Sequence, residues 1–143
     1  MKKLTEKLRE KLKNLLEKHD VILAYLFGSM ANGKTTPLSD VDVAVIFGSS
    51  VPKKEYMNRE LRLAGEIGQL FEIDRVDVVN LATTQSPLIK YNAVFHGKLL
   101  LSNDETKRKK IEYAIMQEHE DTEPLRAAAY RIIAKKIHEQ ITQ

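Results

Sequence analysis

The segment that most constrains the fold runs from Leu26 to Ile46, with the sequence LFGSMANGKTTPLSDVDVAVI. It joins two apolar runs rich in β-branched and aromatic residues, 21–27 and 41–47, and such runs favour strands. The join itself is rich in glycine, serine, threonine and proline, so we expect a loop with at most a short helical turn. Because two phosphate-handling patterns overlap there, its conformation also decides the function of the chain.

The first pattern is the Walker A motif, G-x-x-x-x-G-K-[ST], which is met by Gly28, Gly33, Lys34 and Thr35. A P-loop needs a helix that begins at its lysine, because the amides and the dipole of that helix hold the phosphates. Here Thr36-Pro37 follows at once and the next strand begins near Val41, which leaves no room for a crossover of about a dozen residues. The second strand also has no aspartate at its tip to bind magnesium. We therefore interpret the Walker match as accidental.

The second pattern places two carboxylates on one face of a strand. Successive side chains of the run 40–47 alternate between faces, so Asp40 and Asp42 share one face and the valines share the other. Two adjacent acids repel each other unless a cation lies between them. Mg²⁺ prefers hard oxygen ligands, and two such ions can clamp the attacking and leaving oxygens of an in-line displacement. The alternative is that both acids lie in a solvated loop before the strand.

A third acid lies within another predicted strand, 75–81, with the sequence RVDVVNL. Asp77 has a valine on each side, and an acid among β-branched residues is unusual in a strand. Paired beside the second strand, Asp77 would complete a metal site with Asp40 and Asp42. We prefer Asp77 to its neighbour Asp74 because apolar flanks fit a strand rather than a turn. The alternative is an edge position at which Asp77 only faces water.

These three elements resemble the nucleotidyltransferase superfamily that includes DNA polymerase beta, and within it the minimal nucleotidyltransferases. The superfamily pattern is a hydrophobic residue with Gly-Ser, then Asp-hydrophobic-Asp, and later an acid in a hydrophobic strand. The sequence has these elements in that order, as Phe27-Gly28-Ser29, Asp40-Val41-Asp42 and Val76-Asp77-Val78. The resemblance covers about residues 15–105. Asn32 departs from it, because many relatives carry a basic residue there.

The resemblance implies an α/β fold: a small mixed sheet flanked by helices, the polymerase beta-like palm, with extra C-terminal helices. It implies a metal-dependent transfer of a nucleoside monophosphate, AMP from ATP or the equivalent from another NTP, to an acceptor hydroxyl. Asp40, Asp42 and Asp77 would be the catalytic and metal-binding residues. The nucleotide-binding residues would be Gly28, Ser29 and Ser39. The implied cofactor is Mg²⁺, as two ions, with Mn²⁺ as a substitute.

The resemblance also suggests a partner. Minimal nucleotidyltransferases are often the antitoxin of a pair with a HEPN toxin, and some of them modify a toxin tyrosine with AMP. The chain would then be an antitoxin that adenylylates a HEPN-type protein. The competing hypothesis is a non-catalytic subunit that neutralises its partner by contact. Three intact acids count against that hypothesis, because a scaffold has no need of clustered negative charge.

Composition excludes several other classes of protein. We expect one domain over residues 1–143, with a catalytic core at about 15–105 and a helical extension at about 104–140. The absence of cysteine excludes disulfides and thiolate chemistry. No run approaches the ~18 apolar residues of a membrane span, and no secretory signal is present, so we expect a cytoplasmic protein that binds no membrane. The net charge of +3 is too small to indicate nucleic-acid binding.

Helical spacing and capping signals predict the remaining elements. Leucines from Leu4 to Leu16 predict a first helix, and residues 53–71 a second. The second helix has a broad apolar face, which we interpret as a docking surface for a partner or for a second copy of the chain; it comprises Leu61, Leu63, Ile67 and Leu70. Ser86-Pro87 begins a third helix that ends at Gly97.

The C-terminal part is predicted to form two helices after a short strand at 99–101. Ser102 and Glu105 fit a capping box for a helix near 104–119. A separate last helix is predicted at about 123–140, because apolar residues recur there at helical spacing.

Overall fold

The computed structural model describes residues 4–28 and 41–142. Its elements are α1 (Glu6–Lys18), β1 (Val21–Phe27), β2 (Val41–Phe47), α2 (Tyr56–Phe71), β3 (Val76–Asn80), α3 (Pro87–Tyr91), β4 (Lys98–Ser102) and α4 (Glu105–Ile141). A 3-10 turn, Lys53–Glu55, precedes α2, and a π-helical turn, Asn92–His96, extends α3. Among the described helices, none is both long enough and apolar enough to cross a membrane.

The strands form one mixed sheet in the order β3-β2-β1-β4. β1 is antiparallel to β2 and to β4, whereas β2 and β3 are parallel and are joined through α2. The antiparallel pairing of β1 with β2 is not the arrangement of a P-loop, in which a crossover helix joins parallel strands. This geometry supports the rejection of the Walker motif, although Gly33, Lys34 and Thr35 themselves lie outside the described residues. The predicted small mixed sheet flanked by helices is confirmed.

The two faces of the sheet are covered differently. On the face covered by α1 and α2, the valines of β2 and Phe47 pack against Leu12, Leu16, Leu63, Ile67 and Phe71. We call this the α1/α2 face. On the other, the α3/α4 face, Tyr25, Ala44 and Ile46 pack with Ala93, Val94 and Ile115. The alternation predicted for β2 is therefore present from Val41 to Phe47.

The capping signals of α3 are confirmed. The Ser86 hydroxyl accepts a hydrogen bond from the Ile89 amide at 3.2 Å, and Pro87 follows at the first helical position. The π-helical turn ends at Gly97, where an added Cβ would lie 2.7 Å from the Leu26 carbonyl oxygen. Only glycine therefore fits where this turn approaches the end of β1.

The prediction that α2 has an exposed apolar docking face was wrong in part. Leu63, Ile67 and Phe71 are fully buried in the core, and Leu70 packs against it. Leu61 is 67 % exposed and does not share their face. Leu63 and Ile67 therefore cannot form a docking surface, because the sheet already covers them.

The two predicted C-terminal helices are one helix, α4, with Pro124 inside it. Pro124 lacks an N–H donor, but nearby side chains donate to carbonyls of the preceding turn. The Thr122 hydroxyl donates to the Glu118 carbonyl at 2.8 Å, and Arg126 donates to the His119 carbonyl at 3.0 Å. Neither bond reaches the Glu120 carbonyl, which is the one that loses its helical donor to the proline, yet the helix continues to Ile141.

The start of α4 also differs from the prediction. Ser102 does donate to Glu105 at 2.6 Å, but Ser102 still belongs to β4. The N-cap is Asp104, whose carboxylate accepts from the Lys107 amide at 3.0 Å.

Candidate functional site

Two of the three predicted acids lie side by side at one end of the sheet. Asp42 near the start of β2 and Asp77 near the start of β3 are direct partners in the parallel register. Neighbouring strands are about 4.8 Å apart, and residues in register present their side chains on the same face. That face is the α3/α4 face, because Val76 and Val78 pack against the opposite core. Asp42 is half-buried and Asp77 is exposed.

The sequence left two alternatives for Asp77, a metal-site residue beside the second strand or an edge residue that faces water, and its position in the structure is compatible with both. β3 is an edge strand, so Asp77 does face solvent. It also adjoins the carboxylate-bearing position of β2. A charged residue on an edge strand discourages pairing with another chain, but its register opposite a second acid is not explained by that role.

Gly28 forms the third side of the site. It follows Phe27, which pairs with Asp42 across the antiparallel β1-β2 ladder. Its φ of +80° lies in the region that favours glycine. A Cβ added there would collide with the Asp42 carboxylate oxygen Oδ2. The glycine thus allows the backbone of the turn to lie directly against the acid.

The turn that precedes β3 fixes the position of Asp77. Glu72 ends α2 in the left-handed conformation, with φ of 58°. Gly68 then lets the chain pass closely, since an added Cβ would lie 2.9 Å from the Ile73 carbonyl oxygen. The Val41 amide donates to the Arg75 carbonyl at 3.2 Å, which sets the register of β2 and β3.

Three of the predicted site residues, Ser29, Ser39 and Asp40, lie outside the described residues. Within the described ranges no three acids, histidines or cysteines come together as a metal site. The carboxylates of Asp42 and Asp77 nevertheless match the hard oxygen ligands that Mg²⁺ prefers. Gly28 brings no side chain against the Asp42 carboxylate. The donor set therefore fits Mg²⁺ together with substrate phosphate.

A polar network that the sequence did not predict holds α4 against the α3/α4 face. The buried Tyr25 hydroxyl donates to Glu112 at 2.7 Å, and Arg108 donates to both Glu112 and Glu105. Burial, and next the hydrogen bond to Glu112, raise the pKa of Tyr25 far above its usual value. These partners are distant in sequence from Tyr25, so no local pattern could have predicted the contact.

A cavity of about 320 Å³ lies between α4 and the far end of the sheet. Ile46 and Leu81 line its floor, and the ion pair of Lys90 with Glu118, at 3.1 Å, lies at its side. Ile46 is near the end of β2, whereas Asp42 is near its start. The cavity is therefore separate from the acid pair.

The sequence model of the family described as "Polymerase beta, Nucleotidyltransferase" matches residues 10–106. This range includes β1, β2 and β3, and with them Asp42 and Asp77. The chain is a member of the polymerase beta-like nucleotidyltransferase family. The mixed sheet and the long C-terminal helix are this fold. No curated protein is similar enough in sequence to be a relative.

Toxin–antitoxin complexes are among the solved structures with a similar fold. One is a crystal structure of a toxin–antitoxin with AMP-PNP, at 23% identity and a TM-score of 0.71, over 88% of this chain and 98% of the other. Another contains a tri-AMPylated Shewanella oneidensis HEPN toxin in complex with an MNT antitoxin, at 20% identity and a TM-score of 0.69, over 92% and 99% of the two chains. The TM-scores show that the fold is shared with these proteins.

Proposed function

We propose that this nucleotidyltransferase-family protein transfers AMP from ATP to a hydroxyl group of a protein partner, and that it acts as an antitoxin. The observation that carries the proposal is the register of Asp42 with Asp77 beside Gly28. Two like charges and a close backbone approach are explained together by a metal-bound triphosphate. We extend the site to Asp40, which by strand alternation belongs on the face of Asp42, and to Ser29 and Ser39 as nucleotide-binding residues.

The proposed roles follow from position. Mg²⁺, or Mn²⁺ in its place, would be held by the three aspartates and would neutralise charge on the triphosphate. Gly28 lets the backbone approach the phosphates, and Ser29 offers its hydroxyl and amide. The acceptor oxygen forms a bond to the α-phosphorus, the α–β bridging bond breaks, and pyrophosphate leaves. Asp77 would complete the metal site and help to lower the pKa of the acceptor hydroxyl, which gives up its proton as the new bond forms.

The proposed acceptor is a tyrosine of a HEPN-type toxin. Support comes from the solved complexes of the same fold, one with AMP-PNP and one with an AMPylated HEPN toxin. A soluble cytoplasmic site of action fits such a partner. The whole chain, 1–143, is proposed to act as one catalytic domain with α4 as its helical extension.

The decisive experiment compares Asp42→Asn with Lys34→Ala when the chain is co-expressed with the product of its neighbouring gene. Intact-mass analysis should show AMP adducts on the partner with the wild type. Asp42→Asn should reduce transfer by at least about 1,000-fold, roughly 4 kcal/mol of transition-state stabilisation, and Lys34→Ala by at most about tenfold. Loss with Lys34→Ala and retention with Asp42→Asn would refute the assignment.

Calorimetry tests the requirement for a metal ion separately. A triphosphate should be repelled by clustered carboxylates when no cation is present, so ATP should bind in the presence of Mg²⁺ and fail to bind in the presence of EDTA.

The co-expression experiment also tests the non-catalytic alternative. A stable complex with no mass change, and toxicity still suppressed by Asp42→Asn, would favour neutralisation by contact alone.

A further inference from the structure

The last part of α4 extends away from the rest of the protein. Every residue from 129 to 142 is exposed, although earlier parts of the helix pack through Ile111 and Ile115. We call residues 125–141 the projecting segment. It carries large apolar side chains that are all more than half exposed: Leu125, Tyr130, Ile132, Ile133, Ile137 and Ile141. An apolar surface of this kind marks a protein–protein contact.

The apolar residues of the projecting segment lie on one side of the helix. With 3.6 residues per turn, Leu125, Ala129, Ile133 and Ile137 form a continuous row at intervals of one turn. Ile132 and Ile141 widen the row on its two sides to about half the circumference. Arg131, Lys135 and His138 lie on the opposite side, whereas Arg126 and Lys136 fall within the arc of the apolar row. A row this wide exceeds the narrow seam of a two-stranded coiled coil and fits a groove between helices of a partner.

The segment also needs a covering surface for its own stability. The stretch 129–142 is exposed throughout, and most helical stability in proteins comes from the packing of an apolar face rather than from helix propensity. Residues 113–122 are held by the Lys90–Glu118 ion pair and by stacking of Tyr91 on His119, at 3.6 Å between ring centroids. No comparable anchor is found for 129–141 among the described residues. Docking would supply the missing apolar contacts.

Charge distinguishes between the possible occupants. The projecting segment carries four cationic side chains, Arg126, Arg131, Lys135 and Lys136, and one carboxylate, Glu139. A second copy of the same segment would bring like charges together, which is unfavourable. Arg126 and Lys136 are the two cations on the side of the apolar row, and a groove that presents carboxylates to them would complement the segment.

We propose that the projecting segment docks into an apolar groove, rimmed with carboxylates, between helices of the protein partner that receives AMP. The inference rests on the proposed function and adds to it a docking surface on α4, distinct from the Asp42–Asp77 site. Docking would hold the partner at a high effective concentration near the catalytic acids. It would also order the projecting segment.

The test measures the affinity of the purified chain for the protein partner of the co-expression experiment, and compares the wild type with Ile133→Glu and His138→Glu. Both variants replace a neutral side chain of the same helix by glutamate, but on opposite sides. Ile133→Glu should weaken binding by at least tenfold and His138→Glu by less than threefold. Circular dichroism and Mg²⁺-dependent ATP binding should be unchanged in both, because the site lies elsewhere.

Equal affinity of Ile133→Glu and the wild type would overturn the docking proposal. So would a wild-type chain that is dimeric alone and becomes monomeric with Ile133→Glu, since a second copy would then occupy the surface. AMP transfer to the partner without a stable complex would overturn docking and leave the proposed function intact. Docking with the expected difference between the two variants, but with no AMP transfer, would support the docking surface and overturn the proposed function.

Discussion

The two faces of the sheet differ in how completely they are sealed. The α1/α2 face is closed by two amphipathic helices whose inward residues, such as Leu12 and Leu63, are fully buried. The α3/α4 face is covered by a short helix, a π-helical turn and one part of α4, and a cavity remains beneath α4. Asp42 and Asp77 are on this second face. The protein thus separates the face that stabilises the fold from the face that is available for chemistry.

The largest difference between the faces should appear in core truncations. Leu63→Ala on the α1/α2 face should lower the free energy of unfolding by about 2–5 kcal/mol, because a fully buried leucine leaves a cavity. Ile111→Ala, which is only partly buried on the α3/α4 face, should lower it by about 1 kcal/mol. Urea denaturation of both variants measures this. Equal losses would show that the two faces are equally important for stability.

A glycine pair sharpens the comparison at the site itself. Gly28→Ala should reduce AMP transfer by about 100-fold, roughly 2.7 kcal/mol, because the new methyl group collides with Asp42. The positive φ of Gly28 should add about 1–2 kcal/mol of destabilisation.

Gly65→Ala is the control for Gly28→Ala. An added Cβ at Gly65 meets open space, so this change inside α2 should stabilise the protein by about 0.5–1 kcal/mol. Assays of AMP transfer and thermal unfolding of both variants measure the effects on activity and on stability. An active Gly28→Ala enzyme would contradict the close approach of backbone and acid.

These glycines also show how much of the site could be predicted from sequence. The strands and the alternation of their side chains follow from local patterns, because a strand has a period of two residues. The pairing of Asp42 with Asp77 was a hypothesis that local patterns do not decide, because it depends on the parallel register of β2 and β3. The pattern did not predict that Gly28 lies against Asp42, since that contact depends on the antiparallel register. Whether Ser29, Ser39 and Asp40 complete the site stays a prediction.

The errors in the fold prediction come from local signals that the folded chain does not follow. Pro124 is a helix-breaking signal, but α4 continues through it to Ile141. Leu61 fits the apolar period of α2, but the sheet covers only the side that carries Leu63 and Ile67. Sequence periodicity alone does not contain the position of the sheet relative to a helix.

A smaller effect is expected where α4 is held to the α3/α4 face. Tyr25→Phe removes the hydroxyl that donates to Glu112 and should destabilise the protein by about 1–2 kcal/mol. Tyr130→Phe, on the exposed projecting segment, should change stability by less than about 0.5 kcal/mol. Chemical denaturation of the two variants gives the comparison. A neutral Tyr25→Phe would mean that the network does not hold α4.

The smallest expected effect is on the stability of the protein at acidic pH. Hydrogen bonds from Arg108 and then Ser102 lower the pKa of Glu105 to about 2 from 4.5. Because the folded pKa is the lower one, this contribution to stability is present above pH 4.5 and is lost as the pH falls from there towards 2. The Glu105→Gln variant should therefore lose less stability than the wild type between about pH 5 and pH 2, roughly the range of this titration.

Glu120→Gln, an exposed glutamate of the same helix, is the control for that measurement. It should retain the wild-type dependence of unfolding midpoint on pH. The same acid sensitivity in Glu105→Gln and the wild type would remove Glu105 as a source of that sensitivity.

The parallel register of β2 and β3 has a consequence for how this chain tolerates insertions and deletions. Strand side chains change sides with every residue, so one residue added between Val76 and Asp77 would turn the acid towards α1 and α2 or shift its whole strand. The same addition in the loop 48–52, before α2, leaves both strand registers unchanged. Length variation among homologues should therefore collect in that loop, while the spacing from Val41 to Asp42 and from Val76 to Asp77 stays constant.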